Sequence, residues 1–365
     1  MSNTVSKNKP LTAIVIGAGQ RGKTYAGYAE HFPDKIKIVA VADPREFHAN
    51  LLKTKHNIAD KYVFKDWKEV IELEKFADCV IITTTDQLHK EPAVAFAKKG
   101  YHILLEKPMA VTAEDCIEIV KTVKENDVLL VVGHVLRYIM WSLKIKEIID
   151  SGALGEIVNI QHTEPIGFWH FAHSFVRGNW HNEADSSCSL LAKCCHDIDL
   201  IYYWMGDLKC ENVSSFGHLS HFTRENKPKD AAERCMDCPA HVENNCAYSA
   251  KRIYLDMVKS GHTGWPVNVV SDIPDIENLT KALKTGPYGK CVYQNDNDVM
   301  SQQVVNFQFT GGATATLTMI AFTKGICARA TNIYGTKGEL KFDDAKSNEI
   351  HVFDFLTGQT CKFML

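Results

Sequence analysis

Apolar runs alternate with amphipathic segments from the start of the chain to Val135. The runs are apolar on both faces of an extended strand, which is typical of strands buried in a parallel sheet. The segment from Thr112 has a helical period instead. It opens with a capping-box-like Thr-x-x-Asp and places Ile117, Ile119, Val120 and Val123 on one side. This alternation predicts a doubly wound α/β domain. The apolar runs read TAIVIGAG, KIKIVAVAD, DCVIITTT, YHILLEKP and VLLVVGH.

The pattern changes after Arg137. A helix ending at Ser151 is followed by the strand EIVNIQHTE, a segment rich in Trp and His, and the apolar helix SLLAKCCHDIDLIYYWM. Later runs are short, several alternate with period two, and Gly-containing turns join them. In ATATLT, three threonines share one face and two alanines and a leucine share the other. We therefore predict an α+β second domain with a large, mostly antiparallel sheet packed on helices, and domains at 1–136 and 137–365.

Composition narrows the class of partner. The chain has 365 residues, 45% hydrophobic and 23% charged, with a net charge of −3 and no long run of either sign. This argues against nucleic acid or an anionic membrane surface as a partner. No stretch approaches the roughly 18 apolar residues of a membrane span, and the first residues lack the apolar core of a signal peptide. We expect a cytoplasmic protein that acts on a small molecule.

A glycine-rich turn follows the first apolar run. Gly17, Gly19 and Gly22 form a GxGxxG pattern between a strand and a helical segment, and Asp43 ends the second run about 20 residues later. The first glycine makes the turn, the second admits a pyrophosphate, and the third allows close packing of helix on strand. The pattern predicts dinucleotide binding. Asp43 favours NAD over NADP, while Arg45 leaves NADP possible.

Lys107 stands at the end of another buried run, in the sequence EKP. Ligands of doubly wound sheets bind beyond the carboxyl ends of the strands. An ammonium group there can hydrogen-bond a substrate hydroxyl and help to shift its proton. The alternative is a local surface pair with Glu106, although adjacent strand residues point to opposite faces.

The apolar helix SLLAKCCHDIDLIYYWM carries three polar residues at helical spacing. Lys193, His196 and Asp197 share one side, and a buried lysine is costly unless it is paired or used. They predict a contribution to an active site. The alternative is a solvated Lys193–Asp197 pair, worth only about 0.3–0.5 kcal/mol.

An aromatic segment precedes that helix. Trp169, His170, His173, Arg177 and Trp180 combine aromatic faces with hydrogen-bonding groups, as a sugar-binding pocket requires. Arg177 could instead bind a carboxylate. The alternative is a packed loop whose aromatic residues belong to the core. The histidine spacing matches no metal motif.

Three cysteines are grouped in a polar loop. Cys235, Cys238 and Cys246 suit a zinc knuckle, which needs a fourth ligand such as Cys291. Cys210 or His241 are the other candidates for that ligand. Such a zinc ion would staple an insertion and take no part in catalysis. Free thiols or a disulfide are the alternatives.

Several of these segments together resemble one family. The stretches GAGQRG, TTTDQLH, EKPMAV, GHVLRY and KCCHDIDL are similar to those of the glucose–fructose oxidoreductase/inositol dehydrogenase (Gfo/Idh/MocA) family, over essentially the whole chain. The resemblance implies an N-terminal Rossmann domain and a C-terminal domain built on a large open sheet. It also implies hydride transfer between NAD(P) and a ring carbon of a sugar, cyclitol or related compound. Homodimers or homotetramers formed through the sheet would be usual.

The resemblance carries over to individual residues. Thr84 begins the stretch matching the family's Thr-Pro-Asn loop, with Thr85 and Asp86 in place of Pro and Asn, and His89 matches the loop's histidine. Glu106 matches the glutamate of EKP. The residues expected to contact the cofactor are Gly17, Gly19, Gln20, Arg21, Gly22, Asp43, Arg45, Thr84, Thr85, His89, Glu106, Lys107 and Arg137.

His196 matches the family's catalytic histidine. In many members an aspartate lies four residues earlier, where this chain has Ala192. We expect His196 to act as general acid/base and Lys107 to lower the pKa of the reacting hydroxyl. Lys193 would orient a neighbouring hydroxyl or a carboxylate, and Asp197 or Asp199 would hold the imidazole. Catalysis is thus assigned to Lys107, Lys193 and His196, and substrate binding to Arg177, Trp180 and Lys193.

Two other functions are compatible with these residues. Some relatives oxidise a sugar transiently, cleave a glycosidic bond and return the hydride, with no net change in NADH. The second alternative is a regulator that binds a nucleotide without turnover, and the presence of Lys107 and His196 argues against it.

Overall fold

The computed structural model describes residues 9–365, which form two compact units divided between His134 and Val135. Within the described residues, none of the helices combines the length and apolar character needed to cross a membrane.

The first unit is built on a six-stranded parallel sheet, in the order β3-β2-β1-β4-β5-β6. This order places β1 and β4 side by side at the point where the chain direction across the sheet reverses, as in a doubly wound fold. The strands are β1 (Leu11–Ile16), β2 (Ile36–Ala42), β3 (Val63–Phe64), β4 (Cys79–Ile82), β5 (His102–Leu105) and β6 (Leu130–Val132). The prediction of a Rossmann-type α/β domain is confirmed.

The strands of the first unit are connected by helices, and the predicted capping residue begins one of them. The helices are α1 (Gln20–Ala26), α2 (Tyr28–His31), α3 (Glu46–His56), α4 (Trp67–Glu72), α5 (Lys90–Lys98) and α6 (Ala113–Glu125). The side chain of Thr112 accepts a hydrogen bond from the backbone N–H of Asp115, and so caps α6.

The second unit is built on an eight-stranded sheet, in the order β14-β13-β12-β11-β7-β10-β9-β8. Its neighbours are antiparallel except for β7 and β10, which are parallel. The strands are β7 (Ile157–Pro165), β8 (Cys210–His218), β9 (Gln302–Phe309), β10 (Thr314–Ile320), β11 (Ala330–Gly335), β12 (Gly338–Asp343), β13 (Glu349–Asp354) and β14 (Thr360–Met364). The predicted mostly antiparallel sheet is confirmed.

One face of this sheet packs on helices. Ala315, Leu317 and Met319 of β10 are buried in the same core as residues of α7 and α9, whereas the three threonines of β10 lie on the other face. The helices are α7 (Met140–Asp150), α8 (Phe168–Phe171), α9 (Ser189–Met205), α10 (Ala240–Glu243), α11 (Asp256–Lys259), α12 (Val267–Val270) and α13 (Ile276–Thr285). Two segments, Ala172–Arg177 and Lys251–Leu255, are π-helical.

Candidate functional site

The glycine-rich turn has the geometry of a dinucleotide site. Gly17 has φ +90°, and a Cβ there would lie 2.7 Å from the carbonyl oxygen of Thr83. A Cβ on Gly22 would lie 2.1 Å from the carbonyl oxygen of Gly17. At Gly19 a Cβ would meet Nη2 of Arg45 at 3.6 Å, an ordinary contact. Packing within the protein therefore requires the outer glycines, while the middle one leaves room beside the N-terminus of α1, where a pyrophosphate fits.

Asp43 follows β2 and is joined to Arg45. Its Oδ2 accepts hydrogen bonds from the backbone N–H of Ala18 (2.7 Å) and from Nη2 of Arg45 (2.9 Å). Its Oδ1 accepts from the backbone N–H (2.9 Å) and Nε (3.0 Å) of Arg45. Burial opposes ionisation of Asp43, but the hydrogen bonds from Arg45 outweigh it and lower the pKa. A carboxylate for ribose hydroxyls and a cation for a phosphate thus lie side by side.

Glu106 connects the EKP segment to α1. One oxygen of its buried carboxylate accepts hydrogen bonds from Nε of Arg21 and from the hydroxyl of Tyr25 (3.1 Å). The other accepts from the backbone N–H of Lys107 at 2.7 Å. Glu106 therefore orients Arg21 and fixes the backbone at Lys107, and the Lys107 side chain is half-buried.

His89 joins two loops at the carboxyl ends of β4 and β5. Its ring is buried, and the two ring nitrogens lie 2.7 Å from the carbonyl oxygen of Pro108 and 3.1 Å from that of Thr84. The hydroxyl of Thr84 donates to the carbonyl of Leu88 at 2.9 Å. These contacts join the two loops through the ring of His89.

The polar stripe on α9 contains a lysine with two partners that its spacing did not reveal. Nζ of Lys193 lies 3.3 Å from Oε1 of Glu164 and donates to Sγ of Cys327 at 2.9 Å. Burial would lower the pKa of Lys193, but Glu164 and Cys327 raise it overall. The ammonium group is therefore charged. The alternative of a solvated pair with Asp197 is wrong.

Asp197 is fully buried and belongs to a different contact set. Its Oδ1 accepts from Nε of Arg329 (2.9 Å) and lies 2.9 Å from Nε2 of His162. Burial alone would raise the pKa of Asp197, but Arg329 and His162 hold it well below its usual range. Asp197 thus orients His162 and Arg329, and the prediction that it holds the ring of His196 is wrong.

Asp199 and His196 are the other residues of α9 for which the sequence predicts a role. Asp199 receives two hydrogen bonds of 2.6 Å from Nε and Nη2 of Arg137, which fixes that predicted cofactor-binding side chain to α9. His196 is half-buried, one helical turn from Lys193. An imidazole and a charged ammonium so placed can exchange a proton with one substrate oxygen and hydrogen-bond another.

Arg177 does not have the environment of a substrate-binding residue. It is 2% exposed, and its guanidinium donates to the carbonyls of Lys290 (2.8 Å) and Tyr248 (2.9 Å) and to Sγ of Cys235 (3.3 Å). It connects a long insertion to the core of the second unit. The prediction that Arg177 binds substrate, a carboxylate included, is therefore wrong. Trp180 packs against the core, with its ring 6.1 Å from that of Phe175.

The four cysteines proposed as zinc ligands line one small cavity together with Arg177. Its volume is about 20 Å³, roughly enough for one water molecule. Within residues 9–365, however, no group of three or more His, Cys, Asp or Glu residues is arranged to hold a metal ion. The prediction of a structural zinc site at Cys235, Cys238, Cys246 and Cys291 is therefore wrong, and these thiols are free.

An aromatic cluster extends from the lysine's partner Cys327. Sγ of Cys327 lies 3.6 Å from Nδ1 of His170, whose ring packs edge-on against Trp265 at 4.8 Å. Trp169 also contacts Trp265, with ring centroids 5.4 Å apart. Trp265 is 39% exposed, so it could contact a sugar ring. Sequence reasoning missed it because it lies far from Lys193 along the chain.

Other missed residues had a visible signal. His162 and Glu164 alternate with outward-facing residues of β7 and share the inward face with the buried Ile160. Two ionisable residues at buried positions of a period-two strand require partners. Arg329 and Cys327 lie in a connection with no such pattern.

The comparisons with known proteins agree with this architecture. Residues 11–134 match the GFO_IDH_MocA model, "Oxidoreductase family, NAD-binding Rossmann fold", and residues 146–355 match the model of that family's C-terminal alpha/beta domain. A 2,7-anhydro-N-acetylneuraminate hydratase of Escherichia coli (strain K12) is 30% identical over 209 residues, covering 57% of this chain and 53% of the relative. An inositol 2-dehydrogenase of Salmonella typhimurium (strain LT2) is 31% identical over 147 residues, 40% of this chain and 43% of the relative. The chain thus spans about half the length of these curated relatives.

A solved structure extends the likeness over nearly the whole chain. Levoglucosan dehydrogenase in complex with NADH has a TM-score of 0.67 and 18% identity, with 98% of this chain and 80% of that chain covered. At this identity the likeness shows a shared fold.

Proposed function

Because the chain belongs to the Gfo/Idh/MocA oxidoreductase family, we propose that it is an NAD-dependent dehydrogenase or reductase acting on a ring carbon of a sugar, cyclitol or related polyol. The observation that carries this proposal is a charged, mostly buried Lys193 that lies one helical turn from His196 on the same side of α9. Burying a lysine is costly even beside a carboxylate, which favours a functional use of this ammonium group. The names of the relatives, an anhydro-sugar hydratase and an inositol dehydrogenase, support the substrate class.

Each residue has a distinct task in this proposal. Bound NAD would accept or return the hydride at the reacting carbon. His196 exchanges the proton of the reacting hydroxyl as general base or acid. Lys107 hydrogen-bonds that hydroxyl and lowers its pKa, with its backbone fixed by Glu106. Lys193 orients a neighbouring oxygen of the substrate.

The nucleotide preference follows from Asp43. Its ionised carboxylate favours the free ribose hydroxyls of NAD. Arg45, 56% exposed at its side chain, offers a cation to a 2′-phosphate, so NADP should be used less well but not excluded.

We also propose association through the open face of the second sheet. Beside the threonines of β10, this face exposes the cross-strand pair Phe216 and Val304, at 76% and 37%. From β8 to β10 the face carries apolar, hydroxyl and amide side chains, whereas charged residues such as Glu339 and Lys341 lie on the strands towards β14. The portion from β8 to β10 is suited to a second copy of the same face, as in a homodimer or homotetramer.

The test is an assay of reduced-nicotinamide absorbance with NAD and a panel of cyclitols, sugars, sugar acids and aryl glycosides. We expect NADH formation with one class, lost about 100-fold or more in Lys107→Ala and His196→Ala. Lys121→Ala, at an exposed helical lysine, is the matched control and should behave as wild type. Nucleotide binding should persist in His196→Ala. Unaltered turnover in His196→Ala would refute its role.

A second candidate is favoured by the name of the Escherichia coli relative. A hydratase adds water with no net change in oxidation state, and redox-assisted cleavage of a glycoside likewise leaves NADH unchanged. Aglycone release without NADH accumulation, measured in the same wells, would favour this candidate. Nucleotide binding without turnover of any panel member would favour a regulator instead.

A further inference from the structure

Glu164 is a fully buried carboxylate on β7 whose two oxygens face cations. Oε1 lies 3.3 Å from Nζ of Lys193, and Oε2 lies 3.0 Å from Nε of Arg329. The side chain of Glu164 has no exposed surface. A carboxylate withdrawn from water to this extent requires compensating charges. Lys193 and Arg329 supply them.

The negative charge of Glu164 lies beside the positive charges of Lys193 and Arg329. Nε of Arg329 lies within 3.0 Å of a carboxylate oxygen of both Glu164 and Asp197. Asp197 also contacts Nε2 of His162. The groups facing Lys193 are Glu164 from β7, Cys327 and Arg329 from the connection after β10, and His170 from α8. Of these, Glu164 carries the negative charge. Without it, Lys193 would face the positive charge of Arg329 with no carboxylate between them.

Cys327 sets the direction of the ammonium group. It accepts one N–H of Lys193 at 2.9 Å, whereas Oε1 of Glu164 lies 3.3 Å from Nζ as an ion-pair partner and makes no hydrogen bond with it. An ammonium has three N–H groups. Cys327 thus fixes the direction of one N–H group, and the attraction of the Glu164 carboxylate holds the ammonium group beside it.

We propose that Glu164 is a positioning residue that holds the charged ammonium group of Lys193 in place as a hydrogen-bond donor to an oxygen of the substrate. The inference rests on the proposed function in assigning Lys193 to the substrate. It makes Lys193 a fixed donor and leaves proton exchange to His196. Glu164 acts through Lys193 and does not itself contact the reacting atoms.

The charge state can be measured without any substrate. Protein labelled with ¹³C at the lysine Cε atoms gives one signal per lysine, and the signal absent from Lys193→Arg belongs to Lys193. We expect that signal to titrate at lower pH in Glu164→Gln than in wild type, since the carboxylate no longer stabilises the ammonium. Glu164→Asp, which keeps the charge, should restore most of the difference. An unchanged titration in Glu164→Gln would overturn the proposal.

Activity provides the second measurement once a substrate is known. Glu164→Gln should lower kcat/KM about 10- to 100-fold, as expected when a directing contact is lost. The loss should deepen as pH rises, because Lys193 loses its proton earlier. Glu243→Gln breaks the ion pair with Lys251 in another part of the unit and should leave the pH profile unaltered.

The remaining outcomes are equally decisive. If Glu164→Gln does not fold, Glu164→Asp takes its place, and a wild-type kcat/KM in that variant would overturn positioning because its carboxylate is one methylene shorter. Failure of the whole panel would overturn the proposed function alone, because the lysine titration requires no turnover.

Discussion

Asp43 and Arg45 place opposite charges beside the glycine-rich turn, where we propose that the ribose of a dinucleotide binds. The carboxylate is held by two hydrogen bonds from the arginine side chain, and neither group lies far from the glycine-rich turn. A 2′-phosphate would be attracted by the arginine and repelled by the carboxylate. We therefore expect the balance between NAD and NADP to depend on the single cation of Arg45.

Replacing that cation should separate the two nucleotides. We expect Arg45→Ala to weaken NADP binding about tenfold or more and to change NAD binding little, since only NADP offers a phosphate to Arg45. Calorimetric titration of each nucleotide measures both affinities. Lys53→Ala, at a lysine of α3 paired with Asp60, controls for a general loss of positive charge. Equal losses for both nucleotides would show that Arg45 does not read the phosphate.

At the level of single residues, the sequence predicted those arrangements in which the residues lie close together along the chain. The glycine turn and Asp43 are separated by little more than one helix and one strand, and their predicted arrangement is seen in the structure. The partners of Arg177 were not predictable, because they lie 58, 71 and 113 residues away in an insertion without periodicity. A buried arginine and a substrate-binding arginine look alike until the chain is folded.

The π-helical segment Ala172–Arg177 buries a histidine next to a second one on α8. Nδ1 of His173 lies 2.8 Å from the hydroxyl of Tyr254, and its ring stacks on Tyr288 at 4.9 Å. Burial lowers the pKa of His170 and of His173 to about 3 each. Both rings are therefore neutral in the folded protein at pH values where the unfolded chain binds protons.

This element should make the second unit sensitive to acid. A folded pKa near 3 means that the unfolded state takes up the proton first, so stability falls as pH drops below about 6.5. For His173 alone the loss between pH 7 and pH 5 is about 2 kcal/mol. Between pH 7 and pH 5, we expect the free energy of unfolding to fall by about 2 kcal/mol less in His173→Gln than in wild type.

Urea unfolding at pH 7 and at pH 5 measures the free energy of unfolding of each protein. Tryptophan fluorescence is a suitable signal, because five of the six tryptophans lie in the second unit. His218→Gln, at an exposed histidine ending β8, is the matched control and should keep the acid sensitivity of wild type. An identical pH dependence in His173→Gln would mean that the ring is protonated in the folded state.

Elements were more predictable than their contacts. Period-two alternation found β10 with its faces assigned correctly, and the apolar period found α9. The ion cluster that connects α9 to β7 was not found, because its members come from three distant parts of the chain and no spacing rule relates them. Helical spacing suggested Asp197 as the partner of Lys193, but the tertiary fold supplied Glu164.

The whole second sheet presents one open face to its surroundings. Phe216 and Val304 contribute apolar surface at its β8 edge, threonines and amides lie on the neighbouring strands, and charged residues such as Glu339 and Lys341 lie towards β14. Exposed apolar surface of this kind favours association with a second copy of the protein.

Oligomeric state tests this at the scale of the molecule. We expect wild type to be a dimer or tetramer by light scattering and Phe216→Lys to shift toward monomer, because a lysine buried in such an interface must be desolvated. Leu356→Lys changes an apolar residue that is 95% exposed in the turn between β13 and β14, and should have no effect. A monomeric wild type would refute association through this face.

The parallel pairing of β7 with β10 also determines when the second unit can be completed. β7 ends at Pro165 and lies between β10 and β11, which begin only at Thr314 and Ala330. During synthesis, β7 leaves the ribosome long before either neighbour exists, with its buried ionisable residues still unpaired. Contacts at this separation form slowly and expose strand edges meanwhile. A nascent chain that stops before Thr314 would thus carry an unfinished sheet, and the cell would have to shield it from aggregation until the remaining strands arrived.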